Sequence, residues 1–105
     1  MKYYLSGAIT SQSDFKKYFS RYETQLRAMG ITDIFNPAAK DWPEYVRWDV
    51  CMKYDIKILA DCDCLILLPN WKKSRGAKVE TYLCKKLGIR VVKYHNFIKE
   101  LIHAS

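Results

Sequence analysis

Apolar side chains in this chain recur in two rhythms that alternate from one end to the other. Short runs with strand character, at residues 3–6, 32–35, 63–68 and 89–94, are separated by stretches whose apolar residues return at helical spacing. The first such stretch carries Phe15, Tyr18/Phe19, Tyr22, Leu26 and Met29, with Ser13 or Asp14 placed to cap its start and Gly30 to stop it. Trp42-Pro43 opens the second, which runs to about residue 60; the third begins at Ser74-Arg75-Gly76 and stops before Gly88, and a short fourth covers residues 96–102. The run Asp63-Cys64-Leu65-Ile66-Leu67-Leu68 is apolar almost throughout, the pattern of a strand buried on both faces of a parallel sheet. Strict alternation of this kind predicts one small doubly wound, flavodoxin- or Rossmann-like α/β domain over residues 1–105, with a four-stranded parallel sheet ordered 2-1-3-4 and helices on both faces. Right-handed crossovers then place the first helix on one face and the second and third together on the other.

Two positions break the apolar stripes. In the third helix the buried positions run Gly76/Ala77, Glu80, Leu83/Cys84, Leu87, so Glu80 occupies a core slot. In the second they run Trp48, Cys51/Met52, Asp55, Ile58/Leu59, which puts Asp55 in a slot of the same kind. Each acid costs several kcal/mol to desolvate, which demands a compensating role. On neighbouring helices both fall near mid-sheet, where paired carboxylates do glycosidic chemistry.

Composition narrows the setting. The net charge of +7 favours an anionic partner without separating a nucleotide from a nucleic acid. No apolar run approaches the length of a membrane span, and residues 1–5 lead into a strand instead of a signal peptide, so no membrane partner and a cytoplasmic location are expected. The four cysteines, Cys51, Cys62, Cys64 and Cys84, lie in apolar positions that predict free buried thiols. Cys62-Asp63-Cys64 has neither the gap nor the histidines of a zinc site, so neither metal nor cofactor is expected.

Ligands of such folds enter at the carboxyl ends of the strands, where the chain reverses direction. Two loops meet there. Ser6-Gly7-Ala8-Ile9-Thr10-Ser11 offers small and hydroxyl residues whose backbone N–H groups can face an anion. Trp71-Lys72-Lys73-Ser74-Arg75-Gly76 leads into a helix N-terminus, where free N–H groups, the helix dipole and nearby cations suit a phosphate. Trp71, with Trp42 or Tyr45, is a candidate to stack on a base.

Tyr4-Leu5-Ser6-Gly7-Ala8-Ile9, the pair Asp55 and Asp63, and Ser74-Arg75-Gly76-Ala77-Lys78-Val79-Glu80 together resemble the nucleoside 2-deoxyribosyltransferase-like superfamily. That superfamily includes the 2′-deoxynucleoside 5′-monophosphate N-hydrolases, and the chain looks most similar to its small phage and bacterial members with the signature spanned here by Trp71 and Glu80. The resemblance implies a homodimer that cleaves a base–sugar bond. By it, Glu80 matches the nucleophile that attacks C1′, Asp55 the acid that assists departure of the base, Tyr4 the tyrosine that orients the nucleophile, and Ser74 the residue that binds the 5′-phosphate. At Ala8 and Thr10 the chain departs from the hydrolases, which carry Ser and Arg there, so Ser11, Lys72, Lys73 or Arg75 would have to complete the phosphate grip. The helix N-terminus should keep Glu80 ionised, apolar surroundings should raise the pKa of Asp55, and a covalent retaining route expects the carboxyl groups about 5 to 5.5 Å apart. Two other readings compete: a module that binds or sequesters a nucleotide-derived ligand without turnover, and a nucleic-acid-binding protein whose affinity would fall steeply with salt.

Overall fold

The computed structural model describes residues 1–9 and 14–104. Its strands are β1 (Tyr3–Ser6), β2 (Ile34–Phe35), β3 (Cys64–Leu67) and β4 (Arg90–Lys93), and its helices α1 (Phe15–Ala28), α2 (Trp48–Leu59), α3 (Arg75–Leu87) and α4 (Tyr94–Ala104). All strand pairs are parallel and the sheet order is β2-β1-β3-β4, the expected 2-1-3-4 arrangement. Tyr3 pairs with Ile34 and Cys64, and Leu67 with both Ser6 and Lys93, so the two central strands are in step along their length.

The period-two alternation of β1 and β3 divides the core into two layers. Leu5, Cys64, Ile66 and Leu68 join Phe19 and Leu26 of α1 and Phe97 of α4. Tyr4, Leu65 and Leu67 join Leu59 of α2 and Cys84 of α3 on the opposite face. The second and third helices therefore share a face, as their handedness requires. The apolar stripes of α1 and α3 end earlier than their sequence suggests: Met29 and Leu87 are exposed, because each precedes a glycine that turns the chain. Gly88 is one of these, with φ of +73°, and its N–H returns to the Cys84 carbonyl to close α3.

Several boundaries differ from expectation. Pro43 opens a turn, closed by the Val46 N–H on its carbonyl, and Arg47 is extended, so α2 starts only at Trp48. Short 3₁₀ turns form at Pro37–Ala39 and Trp71–Lys73, the first capped by the Asn36 side chain on the Ala38 N–H. Asp14 occupies the N-cap of α1 without a side-chain capping bond, and its rival Ser13 lies outside the described residues. β2 shrinks to two residues, and α4 starts at Tyr94, directly after β4. Asp63 accepts the Lys2 backbone N–H at 2.7 Å and ties the start of β1 to β3. Among the described residues no helix is long and apolar enough to cross a membrane. Cys51, Cys62, Cys64 and Cys84 are free thiols, three of them buried and Cys51 half-buried.

Candidate functional site

Because side chains alternate across β1, Tyr4 and Ser6 point together into the layer under α2 and α3. Glu80, one and a half turns into α3, comes down on them. The Tyr4 hydroxyl donates to Glu80 Oε2 at 2.5 Å and the Ser6 hydroxyl to Oε1 at 2.7 Å. Each carboxylate oxygen thus has its own donor, and Glu80 is 5% exposed. Tyr4 is fully buried beside this charge, and both facts push its own pKa far up, so its hydroxyl stays a neutral donor.

Glu80 opens onto a cavity of about 470 Å³, within the range of small-molecule sites. Asp55 of α2 lines the same cavity, so the two acids picked out by their slots share one space. Asp55 is 8% exposed, and among the described residues no hydrogen bond reaches its carboxylate. α2 and α3 come close through Gly76, where a β-carbon would sit 3.1 Å from Met52 Sδ.

Burial raises both acids. Asp55 is pushed up to about 6 by desolvation, against a smaller opposing pull from the Lys40 charge. Glu80 is pushed up to about 7, again by desolvation, with the Tyr4 and Ser6 hydroxyls pulling it down and the Asp55 charge adding to the rise. The expectation that the helix N-terminus keeps Glu80 well ionised therefore fails: Glu80 lies beyond the first turn of α3, where the dipole has faded and burial dominates. Midway between these two values the pair holds about one proton between them.

Gly7, Ser74, Arg75 and Gly76 line the cavity. Ser74 is also the N-cap of α3, its Oγ accepting the Ala77 N–H at 3.0 Å. Arg75 lies over the Trp48 ring, 3.9 Å from the guanidinium carbon to the ring centre, and among the described residues it has no oxygen partner. Ala8 does not line the cavity. Its N–H, expected to be open, donates to Asn70 Oδ1 at 3.0 Å, and Gly7 is where Asn70 comes close, since a β-carbon there would sit 2.6 Å from that oxygen. Thr10 and Ser11 lie outside the described residues. Lys72 and Lys73 sit in the 3₁₀ turn and do not line the cavity.

Trp71, expected to stack on a base, packs elsewhere. The same 3₁₀ turn lays its ring against the core layer of Tyr4, Leu65 and Leu67, away from the cavity wall, so it is not placed to stack on a ligand there. The cavity's aromatic side chains are Phe15, Trp42 and Trp48 instead. Tyr45 is 86% exposed and outside it. Lys40 and Trp48 line the cavity although no motif assigns them to it, and Ser6, expected in the anion loop, instead meets Glu80 through its hydroxyl. For Ser6 a signal existed, since period two puts it on the face of Tyr4. Lys40 lines the cavity among aromatic rings, 4.8 Å from the Trp42 ring centre and 4.7 Å from that of Tyr54.

A family model described as "Domain of unknown function (DUF4406)" matches residues 1–93. No curated protein and no solved structure matches the chain.

Proposed function

The chain belongs to the DUF4406 family, and for it we propose N-glycosidase activity on a (deoxy)nucleoside 5′-monophosphate. One observation carries this reading: two buried carboxyl groups, one held by two hydroxyl donors and the other free of them, open onto a single nucleotide-sized cavity. A purely structural acid has no use for a second acid facing the same space, given what desolvation of each costs.

In the proposed reaction Glu80 attacks C1′ as its bond to the base breaks. The bonding pair leaves with the base nitrogen, and Asp55 delivers a proton to the departing base. Tyr4 and Ser6 aim the Glu80 oxygens and favour their ionised form. Positive character developing at C1′ favours it further, which moves the pair's shared proton to Asp55 when it is needed. Water, deprotonated by Asp55, then attacks C1′ of the glycosyl-enzyme, and the released Glu80 carboxylate completes the cycle. Arg75, stacked on Trp48 with its donors unspent, and the N–H groups at the start of α3 suit the 5′-phosphate. This grip does not depend on Ala8.

A second reading, ligand binding without turnover, draws support from Glu80 being only partly ionised near neutral pH. Chromatography for free base after incubation with nucleosides and their 5′-monophosphates separates the two. Base release by wild type and none by Glu80→Ala supports the glycosidase; silence from both with binding visible by thermal shift moves the protein to the binding class.

A further inference from the structure

Charge is segregated along this chain. Residues 1–63 carry equal numbers of acids and bases, so the whole net charge of +7 arises from residues 64–105, where nine Lys and Arg stand against two acids, Glu80 and Glu100. Glu80 is buried and Glu100 pairs with Arg90. The other eight cations of this segment have no acid within it to offset them.

Five of them lie on one helix and the turn before it. Lys72 and Lys73 are exposed in the 3₁₀ turn Trp71–Lys73. In α3 the buried residues are Ala77, Glu80, Thr81 and Cys84, so the helical period turns Lys78, Tyr82, Lys85 and Lys86 to the solvent side, within an arc of about 100° and over about 12 Å of axis. None of these residues lines the cavity, and among the described residues none of the five lysines has a carboxylate partner. Tyr82, 61% exposed, stands in the middle of the stripe, with the Lys86 ammonium 5.5 Å from its ring centre.

Helix stability does not account for this arrangement. Lys85 and Lys86 suit the negative end of α3, but Lys72, Lys73 and Lys78 crowd its positive end, where the first turn contains no acid and cations oppose the helix dipole. Where α1 sets Arg27 against Glu23 one turn away, the outer stripe of α3 offers its lysines no such acid. The exposed ring gains little burial from the fold. Against an anionic chain all of these features become favourable: phosphates take the ammonium groups and a base takes the ring face. A membrane surface would need an apolar stripe beside the cations, and α3 spends its apolar side on the sheet. A duplex keeps its base faces stacked and would leave the ring without a partner.

We infer that the outer side of α3 is a binding surface for single-stranded nucleic acid, with Lys72, Lys73, Lys78, Lys85 and Lys86 on phosphates and Tyr82 stacked on a base. This surface lies apart from the cavity and does not depend on the glycosidase reading.

Its test is fluorescence anisotropy of an end-labelled oligothymidylate of about 20 nucleotides titrated with the full chain. With all five lysines on phosphates, affinity should fall about 100-fold between about 50 and 200 mM salt. Lys85→Gln combined with Lys86→Gln should flatten that dependence, whereas Tyr82→Ala should weaken binding at least about fivefold and leave the salt dependence unchanged. Excess thymidine 5′-monophosphate should not displace the oligonucleotide. Displacement by the monophosphate would move the binding into the cavity and overturn the assignment. Equal binding of polyglutamate or of a duplex of the same length, wild-type affinity in Tyr82→Ala, or no oligothymidylate binding at the lower salt overturns it as well.

Discussion

Tyr4 Oη and Glu80 Oε2 stand 2.5 Å apart although 76 residues separate them in the chain. The contact joins the central strand to the helix covering it, and it makes the charge state of Glu80 depend on a hydroxyl with no solvent access. Tyr4→Phe removes a hydrogen bond to a charged group, worth about 1.5–3 kcal/mol, so base release should fall about 10- to 100-fold. A variant that folds normally and releases base at the wild-type rate overturns the role given to Tyr4.

The pH profile follows from the shared proton. With Asp55 pushed up to about 6 and Glu80 to about 7, kcat/KM should be bell-shaped with its maximum between those values. Tyr4→Phe takes away one influence that lowers the Glu80 pKa, so its alkaline limb should move to higher pH as its maximum drops. A flat profile from pH 5 to 8 would remove the pair from the rate-determining chemistry.

Stability should respond to the same group in the opposite sense from a salt-bridged acid. Folding raises Glu80 from 4.5 to about 7, so the folded state holds the proton more tightly. That contribution is fully present below the ordinary carboxylate range and is lost as pH rises through about 7. Denaturant unfolding at pH 5 and pH 8 should show Glu80→Gln escaping about 2–3 kcal/mol of the wild-type loss.

Ser74 has two duties that substitution can separate. Ser74→Ala removes the cap on the Ala77 N–H and should cost about 1 kcal/mol of stability. Ser74→Asp keeps a capping oxygen and favours the helix dipole, yet it sets a negative charge where the phosphate is proposed to bind. Thermal unfolding near wild type with nucleoside monophosphate affinity reduced at least about tenfold is the expected pair of results, on the scale of a close like-charge contact.

Gly7→Ala tests the packing beneath the site. A methyl there meets Asn70 Oδ1 at 2.6 Å and Leu68 Cβ and Phe19 Cζ at 3.2 Å. The urea midpoint should fall by an amount equivalent to about 1–3 kcal/mol with an unchanged slope.

What the sequence disclosed follows from which interactions are periodic. The sheet order and the face shared by α2 and α3 follow from alternation and handedness. Asp55 and Glu80 stood out because an acid in an apolar stripe is visible without coordinates, and their common cavity agrees with the heights inferred for them. Trp71 was misjudged because a 3₁₀ turn, set by local backbone bonds, swung its ring onto the sheet. The ionisation of Glu80 was misjudged because burial is a sum over the surrounding fold and has no sequence period. Lys40 was passed over because its neighbours Trp42 and Tyr54 come together only when the irregular segment folds back along α2.

Residues 40–47 carry neither helix nor strand, yet Lys40, Asp41, Trp42 and Val46 all contribute to the cavity wall. Tyr4, Ser6, Asp55 and Glu80, by contrast, all stand on regular elements. The buried acids and their hydroxyl donors thereby stand on strands and helices, apart from an irregular rim. Grafting a different segment between Ala39 and Trp48 offers a route to new ligand preferences that leaves both hydroxyl contacts to Glu80 in place.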